Sequence, residues 1–91
     1  MNSISIQLFN QNDPSEFEKF RRKESDSVLE FCSELVEDIH QSQRLRDEVF
    51  EIIFLLENKH FKNYEDLKKF LSLTANNRIF EYKQYEKLKH Q

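Results

Sequence analysis

The stretch DPSEFEKFRRKESDSVLEFCSELVEDIH, residues 13–40, decides the fold. Asp13 is placed to cap a helix, Pro14 suits the first helical position, and Glu16 is placed to reach back to the cap. At 100° per residue, seven apolar side chains fall within an arc of about 120°. They are Phe17, Phe20, Val28, Phe31, Cys32, Leu35 and Ile39. The pattern predicts one long helix over 14–40 with its apolar stripe against a core.

A second helix is predicted over 43–58, with Ser42 as its cap. Phe50 and Phe54 lie four residues apart, nearly opposite the main apolar face of this helix. That main face consists of Leu45, Val49, Ile52, Ile53 and Leu56. A helix that is apolar on two sides is either central in its domain or shared with another subunit.

The last third of the chain permits two interpretations. Asn63 and Asp66 form a capping pattern for a third helix over 63–72. After a short break, Thr74 is a candidate cap for a fourth helix over 75–89. Aromatic and charged residues also alternate over 78–84, which is a pattern typical of a strand. We therefore expect either a helix or a strand in the C-terminal segment.

The beginning of the chain predicts a short strand over 3–9. Ile4, Ile6 and Leu8 alternate with polar residues, as in a half-buried strand. A lone strand leaves backbone groups unpaired, so this one needs a partner. The candidates are residues 78–84 and the same strand of a second copy. The expected fold is therefore mainly α, a small domain over 1–91 with three to four helices and a short N-terminal strand.

The composition fits a folded protein without a membrane span. The chain has 91 residues, of which 37% are hydrophobic and 34% charged, and it contains nine Phe and three Tyr. Such aromatic content is too high for a disordered tail. No apolar run approaches the roughly 20 residues that span a bilayer, and no leader pattern begins the chain. The lone Cys32 fits a reducing compartment, so we expect a cytoplasmic location.

Glycine is absent from the chain. Dinucleotide fingerprints, P-loops and glycine-built nucleophile elbows are therefore excluded. Asparagine is the next residue that tolerates the left-handed region, so asparagines are expected at turns and helix ends. The candidates are Asn10, Asn12, Asn58, Asn63, Asn76 and Asn77.

No pattern predicts an enzyme, a metal site or a cofactor. His40, His60 and His90 are scattered, without another ligand at a recognised metal spacing. Cys32 belongs to the apolar stripe, where a cysteine behaves as a small hydrophobe. Carboxylates are so frequent that two of them near each other are no evidence of acid–base catalysis.

Charge is unevenly divided along the chain, with a total of −3. Residues 1–58 carry six Lys or Arg and thirteen Asp or Glu, whereas residues 59–91 carry eight and four. Such asymmetry can steer a charged partner or orient two copies head to tail.

These patterns favour a small non-catalytic protein that binds another protein, as an inhibitor, adaptor or assembly factor, and that self-associates. Docking would use exposed aromatic side chains, with charge steering the encounter. The candidate interface residues are Phe50, Phe54, Phe80, Tyr82 and Tyr85.

The alternative is a DNA-binding regulator. Helices over 63–72 and 75–89 would follow one another in helix-turn-helix order. Asparagine and arginine can read bases in the major groove, and lysines can hold phosphates. The candidate residues are Asn76, Asn77, Arg78, Lys83 and Lys87.

Overall fold

The computed structural model describes residues 3–89, and these are mainly helical. Four helices follow one another within this range: α1 (Ile6–Asn10), α2 (Pro14–Leu35), α3 (Ile39–Phe54) and α4 (Tyr64–Lys89). The longest helices, α2 and α4, run side by side in the same direction, and α3 runs in the opposite direction against both. The short α1 closes the end at which α2 and α4 begin, and we call this end the base.

The predicted N-terminal strand is wrong, because residues 6–10 form α1. Ser5 caps this helix by accepting a hydrogen bond from the backbone N–H of Leu8 at 3.2 Å. The N–H of Ser5 donates to the Glu16 carboxylate at 2.8 Å. Phe9 is the buried residue, and its ring centroid lies 5.3 Å from that of Phe20. These contacts satisfy locally the backbone groups that a lone strand would leave unpaired.

Asp13 and Pro14 begin α2 as predicted, but Glu16 does not reach back to the cap, and the α2–α3 boundary differs from the prediction. Asp13 accepts hydrogen bonds from the N–H groups of the first turn, as predicted. The helix ends at Leu35 instead of continuing to residue 40, because Asp38 caps α3. The predicted cap, Ser42, is buried inside α3, where its hydroxyl donates to the Val36 and Asp38 carbonyls. Consequently α3 begins and ends about four residues earlier than the predicted helix over 43–58.

A single helix, α4, replaces the two predicted elements over 63–72 and 75–89. Its inward positions lie four residues apart and run through the expected break: Leu67, Leu71, Ala75 and Ile79 are all buried. Thr74 does not cap a new helix, because its hydroxyl donates to the Phe70 carbonyl one turn back at 2.8 Å. Of the two alternatives for the C-terminal segment, the helix is therefore confirmed and the strand over 78–84 is wrong, and the break predicted before the segment is also wrong. Asn63 does cap the start of α4, accepting from the N–H of Asp66 at 2.9 Å.

A buried lysine joins the two loops at the base. Within the described residues, positive φ angles occur at Asn12 and Asn58, in the role that asparagine was expected to take. Lys59 donates from Nζ to the Phe54 carbonyl at 3.1 Å and to the Leu56 carbonyl at 3.2 Å. It also donates to the Asn12 side-chain oxygen. Burial lowers the pKa of Lys59. The ammonium thus closes the C-terminal end of α3 and holds it to the α1–α2 loop.

Candidate interaction surface

The last turns of α4 extend past the end of α2. At the base, the Tyr64 hydroxyl donates to the Glu24 carboxylate at 2.5 Å, which fixes α4 beside α2. Since α2 ends at Leu35, the turns of α4 after Ile79 pass its end. The 26 residues of α4 measure roughly 39 Å, and the longest dimension of the molecule is 46 Å. We call residues 80–89 the projecting end.

An apolar stripe follows the outer face of α4. Successive positions lie four, three, four and four residues apart, which places them within an arc of about 80°. They are Leu73, Asn77, Phe80, Gln84 and Leu88, and all five are exposed. The three apolar members are 56%, 64% and 66% exposed, in chain order. We call this set the α4 stripe, and it is roughly 22 Å long.

The lower end of the α4 stripe meets a groove at the base. Leu73 lines this groove, which has a volume of about 490 Å³. Leu56, Phe61 and Phe70 contribute further apolar lining, and the charged side chains of Glu57, Asp66 and Lys69 also line the groove. The stripe therefore continues downward into apolar surface instead of ending in solvent.

One edge of the α4 stripe is basic. Viewed along the helix, Lys69 and Lys87 lie about 40° and Lys83 about 80° to one side of Leu73. Glu81 lies about 80° to the other side. All four side chains are exposed. Glu65, in the first turn, shares the lysine edge but lies at the base. The upper two-thirds of the stripe therefore present an apolar line beside a positive edge.

The predicted interface residues fall in different parts of the molecule. The prediction that Phe50 is an interface residue is wrong, because Phe50 is buried against Phe20 with ring centroids 5.5 Å apart. Its side of α3 is apolar because α3 lies between α2 and α4. Phe54 is half-exposed at the base, with its ring centroid 4.9 Å from that of Phe17.

The aromatic residues of α4 separate from one another. Tyr82 is partly buried against the core. Burial raises the pKa of its hydroxyl, and the carboxylates of Glu86 and Asp38 raise it further. Phe80 and Tyr85 are both exposed on the projecting end, about 140° apart around the axis. Only Phe80 of these aromatic residues belongs to the α4 stripe.

The residues predicted to read DNA do not stand at the start of a helix. Asn76 and Asn77 are exposed in the middle of α4, and Lys83 and Lys87 are exposed near its end. Arg78 is occupied, since its guanidinium binds the Glu48 carboxylate of α3 at 2.6 Å. The sharp turn that a helix-turn-helix requires is absent from residues 64–89. The geometry on which the DNA-binding alternative was based is therefore not present.

No metal-binding cluster is assembled in the part of the chain that the structure describes. No group of three or more His, Cys, Asp or Glu side chains there could hold a metal ion. Cys32 is fully buried, and burial raises the pKa of its thiol. His40 and His60 are exposed, whereas His90 lies outside the described residues. Along 3–89, every helix is too short or too polar to traverse a lipid bilayer.

Sequence reasoning missed Leu73, Asn77, Gln84 and Leu88 as members of one surface. The predicted break after residue 72 assigned Leu73 to a loop and shifted attention to the aromatic residues alone. The signal was the spacing of these outer positions, which forms a line only when 64–89 is read as one helix.

Comparison with known proteins identifies no relative. No protein-family model matches the chain, no curated protein is significantly similar to it, and no solved structure matches its fold significantly.

Proposed function

We propose that this protein is a non-catalytic binding protein that docks another protein through the α4 stripe. The observation that carries the proposal is the exposure of Phe80 and Leu88, about two-thirds each, on the part of α4 that extends past the end of α2. Single exposed apolar residues are common on protein surfaces. A line of three on one helix face, continued by an apolar groove, is typical of an interaction site.

The proposed mechanism is docking followed by occlusion or bridging. A partner that covers the stripe buries Phe80, and aromatic residues are enriched among the anchors of protein interfaces. The bundle itself serves as a rigid support, since Leu67, Leu71, Ala75 and Ile79 fix α4 against the core. An inhibitor, an adaptor and an assembly factor would all use such a site. The cytoplasmic location of the protein stays a prediction.

Affinity capture with a matched pair of variants tests the proposal. Phe80→Ala removes the central side chain of the stripe, whereas Leu55→Ala removes one of equal exposure at the base, 63% against 64%. We expect wild type and Leu55→Ala to capture the same protein from an extract of the source cells and Phe80→Ala to lose it. Circular dichroism confirms that both variants keep their helices. Equal capture by all three proteins would refute docking through the stripe.

Self-association and DNA binding remain predictions from the sequence. Sedimentation over a range of protein concentrations measures the first. The exposed Lys83 and Lys87 are the remaining support for the second. If the protein binds DNA, a generic duplex is retained at low salt and released as salt rises, and Lys83→Ala with Lys87→Ala weakens retention. No retention at low salt would contradict the DNA-binding alternative.

A further inference from the structure

We infer that the occupant of the α4 stripe is an acidic amphipathic helix of a partner protein, with an apolar line edged by carboxylates. This inference rests on the proposed function, since it names the chemistry of the partner at the same surface. Two features of the stripe support it, its shape and the sign of its edge.

The shape fits one helix lying along another. The exposed members follow the four-three-four-four spacing of a helical face over roughly 22 Å. A partner helix of about 15 residues has the same length. Leu73, Phe80 and Leu88 are spaced by about two turns, which leaves room between them for apolar side chains of the partner. The intervening Asn77 and Gln84 are uncharged, so burying them costs less than burying ions.

The edge selects the charge of that partner. Lys83 and Lys87 line one side of the stripe at exposed positions, and Lys69 lies one turn below it on the same side. Carboxylates on the facing edge of a docked helix would lie opposite them, and lysines there would be repelled. Because the chain as a whole carries a net charge of −3, attraction of an acidic partner depends on this local basic edge and not on the overall charge.

A second copy of the chain fits the stripe poorly. An antiparallel pair of α4 helices related by a two-fold axis brings the two lysine edges together, which is electrostatically unfavourable. In a parallel pair, the edge with Lys83 and Lys87 would face the edge that carries Glu81, which offers one carboxylate for two lysines. The outer face of α2 offers Asp26, Glu30 and Glu34, but the apolar residues Val28 and Cys32 are buried in the core. That face has carboxylates without an exposed apolar line.

The contact area also indicates what affinity to expect. A stripe of roughly 22 Å by 10 Å is smaller than the roughly 800 Å² that each partner contributes to a standard interface. We therefore expect a transient complex. Because the edge contacts are exposed, the affinity should fall as salt rises.

Fluorescence anisotropy with a designed peptide tests the inference. The probe is a labelled peptide of about 16 residues that forms a helix with a leucine line and glutamates along both edges. The control peptide has lysine at each glutamate position. We expect saturable binding of the acidic peptide and at least about tenfold weaker binding of the basic one. Lys83→Glu with Lys87→Glu should reverse this preference, and Leu55→Ala should leave it unchanged. Absence of saturable binding of the acidic peptide, or equal affinity for both peptides, would overturn the inference.

Three further outcomes relate this inference to the proposed function. If Phe80→Ala abolishes capture of the cellular partner while Lys83→Glu with Lys87→Glu does not, docking stands and the acidic chemistry is refuted. If the double reversal instead dissolves a dimer seen in sedimentation, the occupant is a second copy and the inference is also refuted. If neither variant alters capture, both the proposed function and this inference are refuted.

Discussion

Ile79 and Phe80 are neighbours in the chain, yet α4 directs one into the core and the other to solvent. Ile79 is 3% exposed. Replacing a buried isoleucine by alanine costs roughly 2–5 kcal/mol, because the lost transfer free energy and the new cavity add. We therefore expect Ile79→Ala to lower the free energy of unfolding by about 3 kcal/mol.

Phe80→Ala removes much less from the fold. With 64% of the residue exposed, roughly 70 Å² of a phenylalanine surface of about 200 Å² is covered. At about 25 cal/mol per Å², this area is worth at most about 1.8 kcal/mol. The better helix propensity of alanine offsets about 0.5 kcal/mol. We expect a net loss of about 1 kcal/mol from these two terms.

Urea unfolding followed by circular dichroism measures both losses, and the slope with urea shows whether the two variants unfold from the same kind of state. A strand over 78–84 would place Phe80 and Tyr82 on one face and Ile79 on the other. A larger loss for Phe80→Ala than for Ile79→Ala would therefore refute the continuous α4. The effect on capture should be the reverse, with Phe80→Ala defective and folded Ile79→Ala intact.

Three more predictions concern the base of the molecule. In urea unfolding, Phe9→Ala should lower the free energy of unfolding by roughly 3–5 kcal/mol and Leu8→Ala by about 1 kcal/mol or less, because α1 buries Phe9 and exposes Leu8. A larger loss for Leu8→Ala than for Phe9→Ala would support a strand. Lys59→Met should cost about 1–3 kcal/mol, since it leaves three oxygen acceptors without their buried donor, and unchanged stability would show that water replaces the ammonium. Burial and the Glu24 carboxylate raise the pKa of Tyr64. The contribution of Tyr64 to stability is therefore complete below its unfolded pKa of about 10. Above that pH the free energy of unfolding falls by at most about 1.4 kcal/mol per pH unit. Unfolding midpoints measured from pH 9 to 11 should show a smaller loss in Tyr64→Phe than in wild type, because the raised pKa of Tyr82 contributes to the loss in both proteins. Parallel curves would contradict the prediction for Tyr64.

Local signals predicted the helix starts that depend on one side chain. Asp13 and Asn63 each accept the backbone N–H bonds expected of a cap. Ser42 and Thr74 were misjudged, because a hydroxyl can bond a carbonyl one turn back inside a helix as readily as it caps one. Which of the two occurs depends on packing around the residue. Packing is the information that a single sequence lacks.

The N-terminal strand and the α2–α3 boundary failed for related reasons. The strand prediction used the alternation of Ile4, Ile6 and Leu8 and did not take Phe9 into account. The ring of Phe9 joins the aromatic core because the chain turns as a helix. Ile39 continued the apolar stripe of α2 in phase, although it is half-exposed in the structure and belongs to α3. A side chain that fits a periodic pattern is not thereby buried, since neighbouring elements decide burial.

The candidate surface was partly predictable. The aromatic residues near the end of the chain could not all be buried on one helix face, and Phe80 and Tyr85 are indeed exposed. The line from Leu73 to Leu88 could not be recognised while α4 was divided in two. Phe50 was misassigned because its apolar side of α3 faces α2 and not a partner.

The buried Lys59 can report transient opening of the base. Amine-reactive esters acylate exposed lysines such as Lys62, whereas the Nζ of Lys59 is enclosed by three oxygen acceptors. Acylation of Lys59 therefore requires that the two loops separate first. Its rate relative to Lys62, read by mass spectrometry of the digested protein, would give the frequency with which the base opens. A partner that binds in the groove beside Lys59 would slow the acylation of Lys59, although this groove is remote from the projecting end.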